Sequence, residues 1–136
     1  MCPSREHIPV SIHMVLDNGK VFEELLKTFE ECLQPNWDGY GAQSVREETY
    51  DLAHQFLAAL PLGTPVPSIG AEPDGQITVE WYRSPQRTMS VSISPDGDLH
   101  YAALLGSAKT CGTEPFVGDV PKVISDLIAR VTATQR

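Results

Sequence analysis

Side chains that could do acid, base or nucleophilic chemistry are widely spaced along this 136-residue chain. The candidate bases and metal ligands are four histidines, His7, His13, His54 and His100. No two of them have the H-x-x-x-H or H-E-x-x-H spacing that brings ligands to one helical face. One catalytic reading stays open, a small hydrolase or transferase using Glu80, His100 or Cys111. A thiol nucleophile would need a nearby base to activate it. No base is visible beside this thiol, so the sequence predicts no catalytic residues.

The three cysteines, Cys2, Cys32 and Cys111, are odd in number and contain no C-x-x-C pair. This pattern predicts neither a disulfide framework nor a zinc site. Cys32 falls on the apolar stripe of a predicted helix and is expected to be a small buried residue. The chain contains no glycine-rich phosphate loop and no G-x-S-x-G elbow, so we expect no cofactor and no metal.

The segment N-W-D-G-Y-G-A, residues 36–42, has the most unusual composition in the chain. Its two glycines permit backbone angles closed to other residues, and its two aromatic rings are large enough to fix it onto neighbouring helices. One interpretation is a structural corner. The other is a binding surface with a large aromatic anchor, formed by Asn36, Trp37, Asp38 and Tyr40.

The elements that hold this loop are predicted from hydrophobic periodicity. Residues 10–16 alternate like an edge strand. A helix follows, with an apolar stripe at spacings of three and four that contains Val21, Phe22, Leu25, Leu26, Phe29, Cys32 and Leu33. After the loop, Ser44 and Glu47 form a capping-box pattern that predicts a second helix beginning near Val45 and ending at Pro61.

The period then changes from about 3.6 to 2, which predicts a β-meander. Its strands are expected at residues 68–72, 76–82, 88–94 and 99–105, separated in part by the turn pairs Asp74-Gly75 and Asp96-Gly97. Ser90, Ser92 and Ser94 would then face solvent.

A loop is expected over residues 106–115, followed by a final helix with Asp119 as its N-cap and Pro121 in its first turn. The sequence therefore predicts a single α+β domain over residues 1–136. We expect an antiparallel meander of four strands, or five with a further strand, packed against about three amphipathic helices.

The formal net charge of −8 disfavours binding to nucleic acid. Binding to nucleic acid depends on clustered Lys and Arg, and here these residues are scattered. No apolar run approaches the length of a membrane helix, and the first ten residues lack the apolar core of a secretory signal, so we expect a cytoplasmic protein without membrane contact. An acidic surface favours a protein partner with a basic surface.

Several motifs resemble, as an ordered set, a widespread group of short bacterial and phage proteins of uncharacterised function. These motifs are N-W-D-G-Y-G-A at 36–42, a helix ending in Phe56-Leu57 and Leu60-Pro61, V-P-S-I at 66–69, P-D-G-Q-I at 73–77, V-E-W at 79–81 and S-I-S-P-D-G at 92–97. The match covers roughly residues 34–105. The resemblance implies the same α+β fold and a prokaryotic or phage origin, and it implies no catalytic residues.

The sequence thus favours a non-enzymatic protein-binding module. It would be an inhibitor of a host defence system, similar to an anti-CRISPR protein, or an antitoxin-like partner encoded on a phage or mobile element. The alternatives are the small hydrolase or transferase described above and a homo-oligomeric structural protein, in which a sheet edge or the last helix pairs with a second copy.

Overall fold

The computed structural model describes residues 18–133. The strand predicted at 10–16, together with Cys2, His7 and His13, lies outside these residues. The described elements, in chain order, are α1 (Asn18–Glu31), α2 (Glu47–Ala58), β1 (Ser68–Ala71), β2 (Ile77–Ser84), β3 (Arg87–Ile93), β4 (Asp98–Leu105), β5 (Ala108–Pro115) and α3 (Lys122–Thr132).

The five strands form one antiparallel sheet in the order β1-β2-β3-β4-β5. The predicted α+β class, with an antiparallel meander and three helices, is confirmed. The glycines of both predicted turn pairs have positive φ, +90° at Gly75 and +94° at Gly97, as tight hairpin connections require.

The prediction of a loop over 106–115 is wrong, because residues 108–115 form β5. A two-residue connection, Gly106-Ser107, joins β5 to β4, and Leu105 pairs with Ala108. β5 is mostly exposed, so no alternation of apolar side chains identifies it as a strand.

One face of the sheet carries the hydrophobic core. Alternate residues of the three central strands are fully or almost fully buried there, namely Ile77, Val79, Trp81, Met89, Val91, Ile93, Leu99, Tyr101 and Ala103. α3 packs across β2, β3 and β4, α2 packs against β2 and β3, and α1 packs against β1 and α2. The buried residues form a single hydrophobic cluster that includes side chains from all three helices.

Two side chains of the sheet donate hydrogen bonds to segments outside it. The indole Nε1 of the fully buried Trp81 donates to the Pro65 carbonyl at 2.8 Å, which holds the connector after α2 against the sheet. The Arg87 guanidinium on β3 donates to the carbonyls of Arg130 and Ala133, at the C-terminal end of α3. A cation at this position also interacts favourably with the helix dipole.

Both predicted helix caps are wrong. α2 begins at Glu47 with Arg46 at the N-cap, so Ser44 lies too early to close a capping box. α3 begins at Lys122 with Pro121 at the N-cap, and Asp119 is exposed in the preceding loop. In neither case does the side chain of the N-cap residue form a capping hydrogen bond.

The apolar stripe predicted for α1 is only partly buried. Val21, Leu25 and Cys32 face the core, whereas Leu26 is 43 % exposed and Leu33 is 46 % exposed. The stripe is wider than the surface that β1 and α2 cover.

Candidate functional site

The 36–42 loop is closed on itself by backbone hydrogen bonds. The Asn36 amide donates to the Ala42 carbonyl at 2.6 Å, and the Gly39 amide donates to the Asn36 carbonyl at 3.0 Å. Just beyond the loop, the Gln43 amide donates to the Pro73 carbonyl at 2.7 Å, which fixes the loop to the β1–β2 hairpin. Its ends are therefore held both by α1 and α2 and by the sheet.

Asn36 and Asp38 direct their side-chain oxygens into the loop. Asn36 Oδ1 accepts the Gly41 amide at 2.6 Å. Asp38 Oδ1 accepts two amides, from Tyr40 at 2.8 Å and from Ala42 at 3.1 Å. Since these oxygens satisfy the loop's own backbone, the two residues position the loop, and they would contribute to a binding surface mainly through the shape they impose.

The backbone angles explain the glycines. Gly39 and Gly41 have φ of +80° and +85°, and Asn36 has φ of +64°. Asparagine tolerates this left-handed region better than most residues, and glycine adopts it without strain.

The two aromatic residues have different environments. Trp37 is half-buried against the hydrophobic core, and its Nε1 donates to the Gln43 carbonyl at 2.7 Å. Tyr40, by contrast, is 92 % exposed. The loop thus presents one large aromatic side chain to solvent on a backbone held by hydrogen bonds.

Carboxylates surround this end of the helix pair. Glu30 and Glu31 are the last residues of α1, Glu47 and Glu48 are the first of α2, and all four are exposed. Acidic residues at a helix C-terminus oppose the helix dipole, so Glu30 and Glu31 are not explained by the stability of α1.

Burial raises the pKa of the Cys32 thiol, and the negative charge of the neighbouring Glu31 raises it further. The thiol is buried as predicted.

The second face of the sheet holds a polar cluster. The Glu72 carboxylate accepts hydrogen bonds from Thr78 and Ser92, and the Thr78 and Ser92 hydroxyls lie 3.1 Å apart. The expectation that Ser92 and Ser94 face solvent is wrong, since they are 6 % and 7 % exposed. Their hydroxyls are bonded within the fold, Ser92 to Glu72 and Ser94 to Asp96.

Asp96 is part of the turn that follows Ser94. Hydrogen bonds from the Ser94 hydroxyl and from the Asp98 amide, together with the nearby His100, lower the pKa of the Asp96 carboxyl. The effect is local to the β3–β4 turn, and the carboxylate acts as a turn-stabilising acceptor.

Glu80, His100 and Cys111 all project from this second face, but from different strands. Cys111 is disulfide-bonded, so the expectation of no disulfide is wrong at this residue and it offers no free thiol as a nucleophile. Glu80 on β2 and Cys111 on β5 are aligned through Ser90 and Ala102. His100 pairs with Ser92 and Thr113 in the next row, and its Nδ1 lies 3.0 Å from the Thr113 hydroxyl. Two strand spacings and a two-residue offset place the Glu80 and His100 backbones about 12 Å apart.

A cleft in the described part of the chain lies elsewhere. It has a volume of about 300 Å³ and lies between residues 60–65 and α3, where Ser125, Ile128 and Thr132 line it. No ionisable side chain lines this cleft. None of the residues predicted from sequence to act in binding or catalysis contributes to it.

Within residues 18–133 no group of three histidine, cysteine or acidic side chains is arranged to hold a metal ion. None of the helices in that range has the length and apolar character needed to cross a bilayer. Comparison of the chain with protein-family models, with curated proteins and with solved structures finds no match.

Proposed function

We propose that this protein is a non-enzymatic protein-binding module and that the 36–42 loop is a principal contact. The observation that carries the proposal is the exposure of Tyr40, 92 %, on a loop whose backbone is fixed by hydrogen bonds. Tyrosine is enriched among the residues that dominate binding energy, because it buries a large area and loses little conformational entropy. A preformed loop lowers the ordering cost further.

The proposed partner is a protein with a basic surface. The charge of −8 and the carboxylates of Glu30, Glu31, Glu47 and Glu48 beside the loop would attract it and speed association. By the resemblance to short bacterial and phage proteins, the module would act in the cytoplasm, as an inhibitor of a host defence protein or as an antitoxin-like partner.

The test is affinity purification from a prokaryotic lysate with three tagged baits. The wild type and Leu62→Ala should recover the same protein in near-stoichiometric amount, whereas Tyr40→Ala should recover at least about tenfold less. Leu62 is the matched control, because it is a fully exposed large apolar residue on another loop. Equal recovery with all three baits would remove the loop from the interface, and no recovery above background would refute the binding function.

A further inference from the structure

The outer surface where α1 meets α2 carries a band of rings and aliphatic side chains that the fold does not fully cover. Phe22 stacks on His54 with ring centroids 4.3 Å apart, and Phe29 packs on Tyr50 at 4.8 Å. Tyr50 and His54 are in turn 6.3 Å apart. The four rings form a continuous row along the junction of the two helices.

Two partly exposed leucines lie beside these rings, Leu26 on α1 and Leu33 just after its C-terminal end. Phe22, Leu26 and Phe29 recur at spacings of four and three, so they share one stripe of the helix surface, and Leu33 follows two residues after the end of α1. Leu26 and Leu33 are 43 % and 46 % exposed. We call the six residues, the four rings and these two leucines, the α1–α2 groove.

Exposed carboxylates border the groove on both sides. On α1, Glu23 and Glu30 lie three residues before and four residues after Leu26, which makes them its neighbours on the helix. On α2, Glu47 and Asp51 occupy the corresponding positions next to Tyr50 and His54. Around the axis of α1, Glu23 and Glu30 lie between Leu26 and Lys27. Lys27 is therefore farther from the groove than these two carboxylates, on the side of α1 away from α2.

We propose that the α1–α2 groove binds an amphipathic helix with basic flanks, supplied by a partner protein. The apolar stripe of such a helix would cover Leu26, Leu33 and the exposed parts of the rings, and its Lys or Arg side chains would reach the carboxylates on either side. α1 has 14 residues, so a partner helix of about four turns would span it.

A second copy of this chain is a poor occupant, because the same carboxylates would then face one another. The inference rests on the proposed protein-binding function and adds the shape and charge of the partner segment. The groove and the loop share one end of α1, so a single partner could contact both.

The test uses a fluorescein-labelled helical peptide of about four turns, made of leucine and lysine in an amphipathic order, and measures its binding by fluorescence anisotropy. A peptide of the same composition in a non-amphipathic order is the peptide control. Wild-type protein should bind the amphipathic peptide in the micromolar range and bind the control at least about tenfold more weakly.

The chain offers a matched pair of charge variants. Glu23→Lys/Glu30→Lys places two cations beside the groove and should weaken peptide binding at least about tenfold. Glu24→Lys/Asp119→Lys makes the same change in net charge at exposed positions outside the groove, on the opposite side of α1 and in the loop before α3, and should weaken it no more than about threefold. Leu26→Ser should weaken binding about fivefold, and thermal melts of all variants should stay close to wild type because the changed residues are exposed.

Equal weakening by the two charge variants would show attraction to the whole acidic surface and would overturn the inference. Absence of peptide binding, tight binding of the non-amphipathic control, or concentration-dependent dimerisation abolished by Leu26→Ser would overturn it as well. None of these results tests the role of the 36–42 loop in binding. Failure of the loop is a separate result, seen as lysate recovery that does not depend on Tyr40.

Discussion

Replacing Asp38 with alanine tests whether the hydrogen bonds accepted by this residue stabilise the 36–42 loop. The substitution removes the acceptor of two backbone amides, those of Tyr40 and Ala42. A hydrogen bond to a charged acceptor contributes about 1.5–3 kcal/mol when it is well shielded, and one between neutral groups about 1 kcal/mol. The Tyr40 amide is exposed and can bind water instead, whereas Ala42 is only 2 % exposed, so we expect Asp38→Ala to cost about 1–2 kcal/mol.

Urea unfolding followed by tryptophan fluorescence measures this loss directly. For a slope near 1.5 kcal/mol per molar urea, the midpoint should fall by about 1 M with the slope unchanged. Trp37 belongs to the loop and is half-buried, so its native emission should also shift to the red if the loop loosens. Asp38→Asn keeps an acceptor oxygen and should cost less than half as much.

Asp119→Ala is the matched control, because it removes an exposed aspartate from another loop. It should change stability by less than about 0.5 kcal/mol. If Asp38→Ala were no more destabilising than this control, or if Asp38→Asn were as destabilising as Asp38→Ala, the hydrogen-bonding account of the loop would fail.

Three further substitutions test other parts of the fold. A Cβ at Gly112 would lie 2.6 Å from the Tyr101 hydroxyl, so Gly112→Ala should cost about 1–3 kcal/mol in urea unfolding, with less cost if Tyr101→Phe is present. Arg87→Ala should cost about 1 kcal/mol and speed amide exchange at the end of α3, whereas exchange in β3 itself should be less affected. The lowered pKa of Asp96 stabilises the fold above the ordinary aspartate pKa, and this stability is lost as pH falls through the folded pKa. Asp96→Asn should therefore reduce the loss of unfolding free energy at acid pH. An unchanged dependence of that free energy on pH would contradict a stabilising role for the Asp96 carboxylate.

The sheet could be predicted from sequence because one of its faces is continuously apolar. Ile77, Val79 and Trp81 alternate with polar residues, and such alternation has a single physical solution, a strand with one face on the core. The glycine turns fixed the order of strands, since consecutive hairpins must be antiparallel. The same argument does not apply to β5, because this strand lies at the edge of the sheet and packs few apolar side chains.

Gly106-Ser107 is the signal that could have located β5, because glycine followed by serine is a common two-residue hairpin connection. Gly112 gives a second clue in the structure, where Tyr101 on the adjacent strand lies over it. An aromatic ring that covers a strand glycine is a recognised way to stabilise such a pair. Neither signal is strong without the neighbouring strand in view.

The loop could be singled out by its composition, but the direction of its side chains could not. Asn36 and Asp38 suit a binding surface and a turn equally well, because both tasks use the same oxygens. Only the backbone path shows that those oxygens accept amides of the loop. Likewise, periodicity alone assigns Leu26 and Leu33 to the buried stripe of α1, because it cannot show how wide a surface the neighbouring elements cover.

The order of strands in the meander has a consequence for how quickly the protein folds. Every strand pairs with the one before it in the sequence, and each connection is a short turn. Bringing such neighbours together costs little chain entropy, so the sheet can assemble hairpin by hairpin without a search between distant segments.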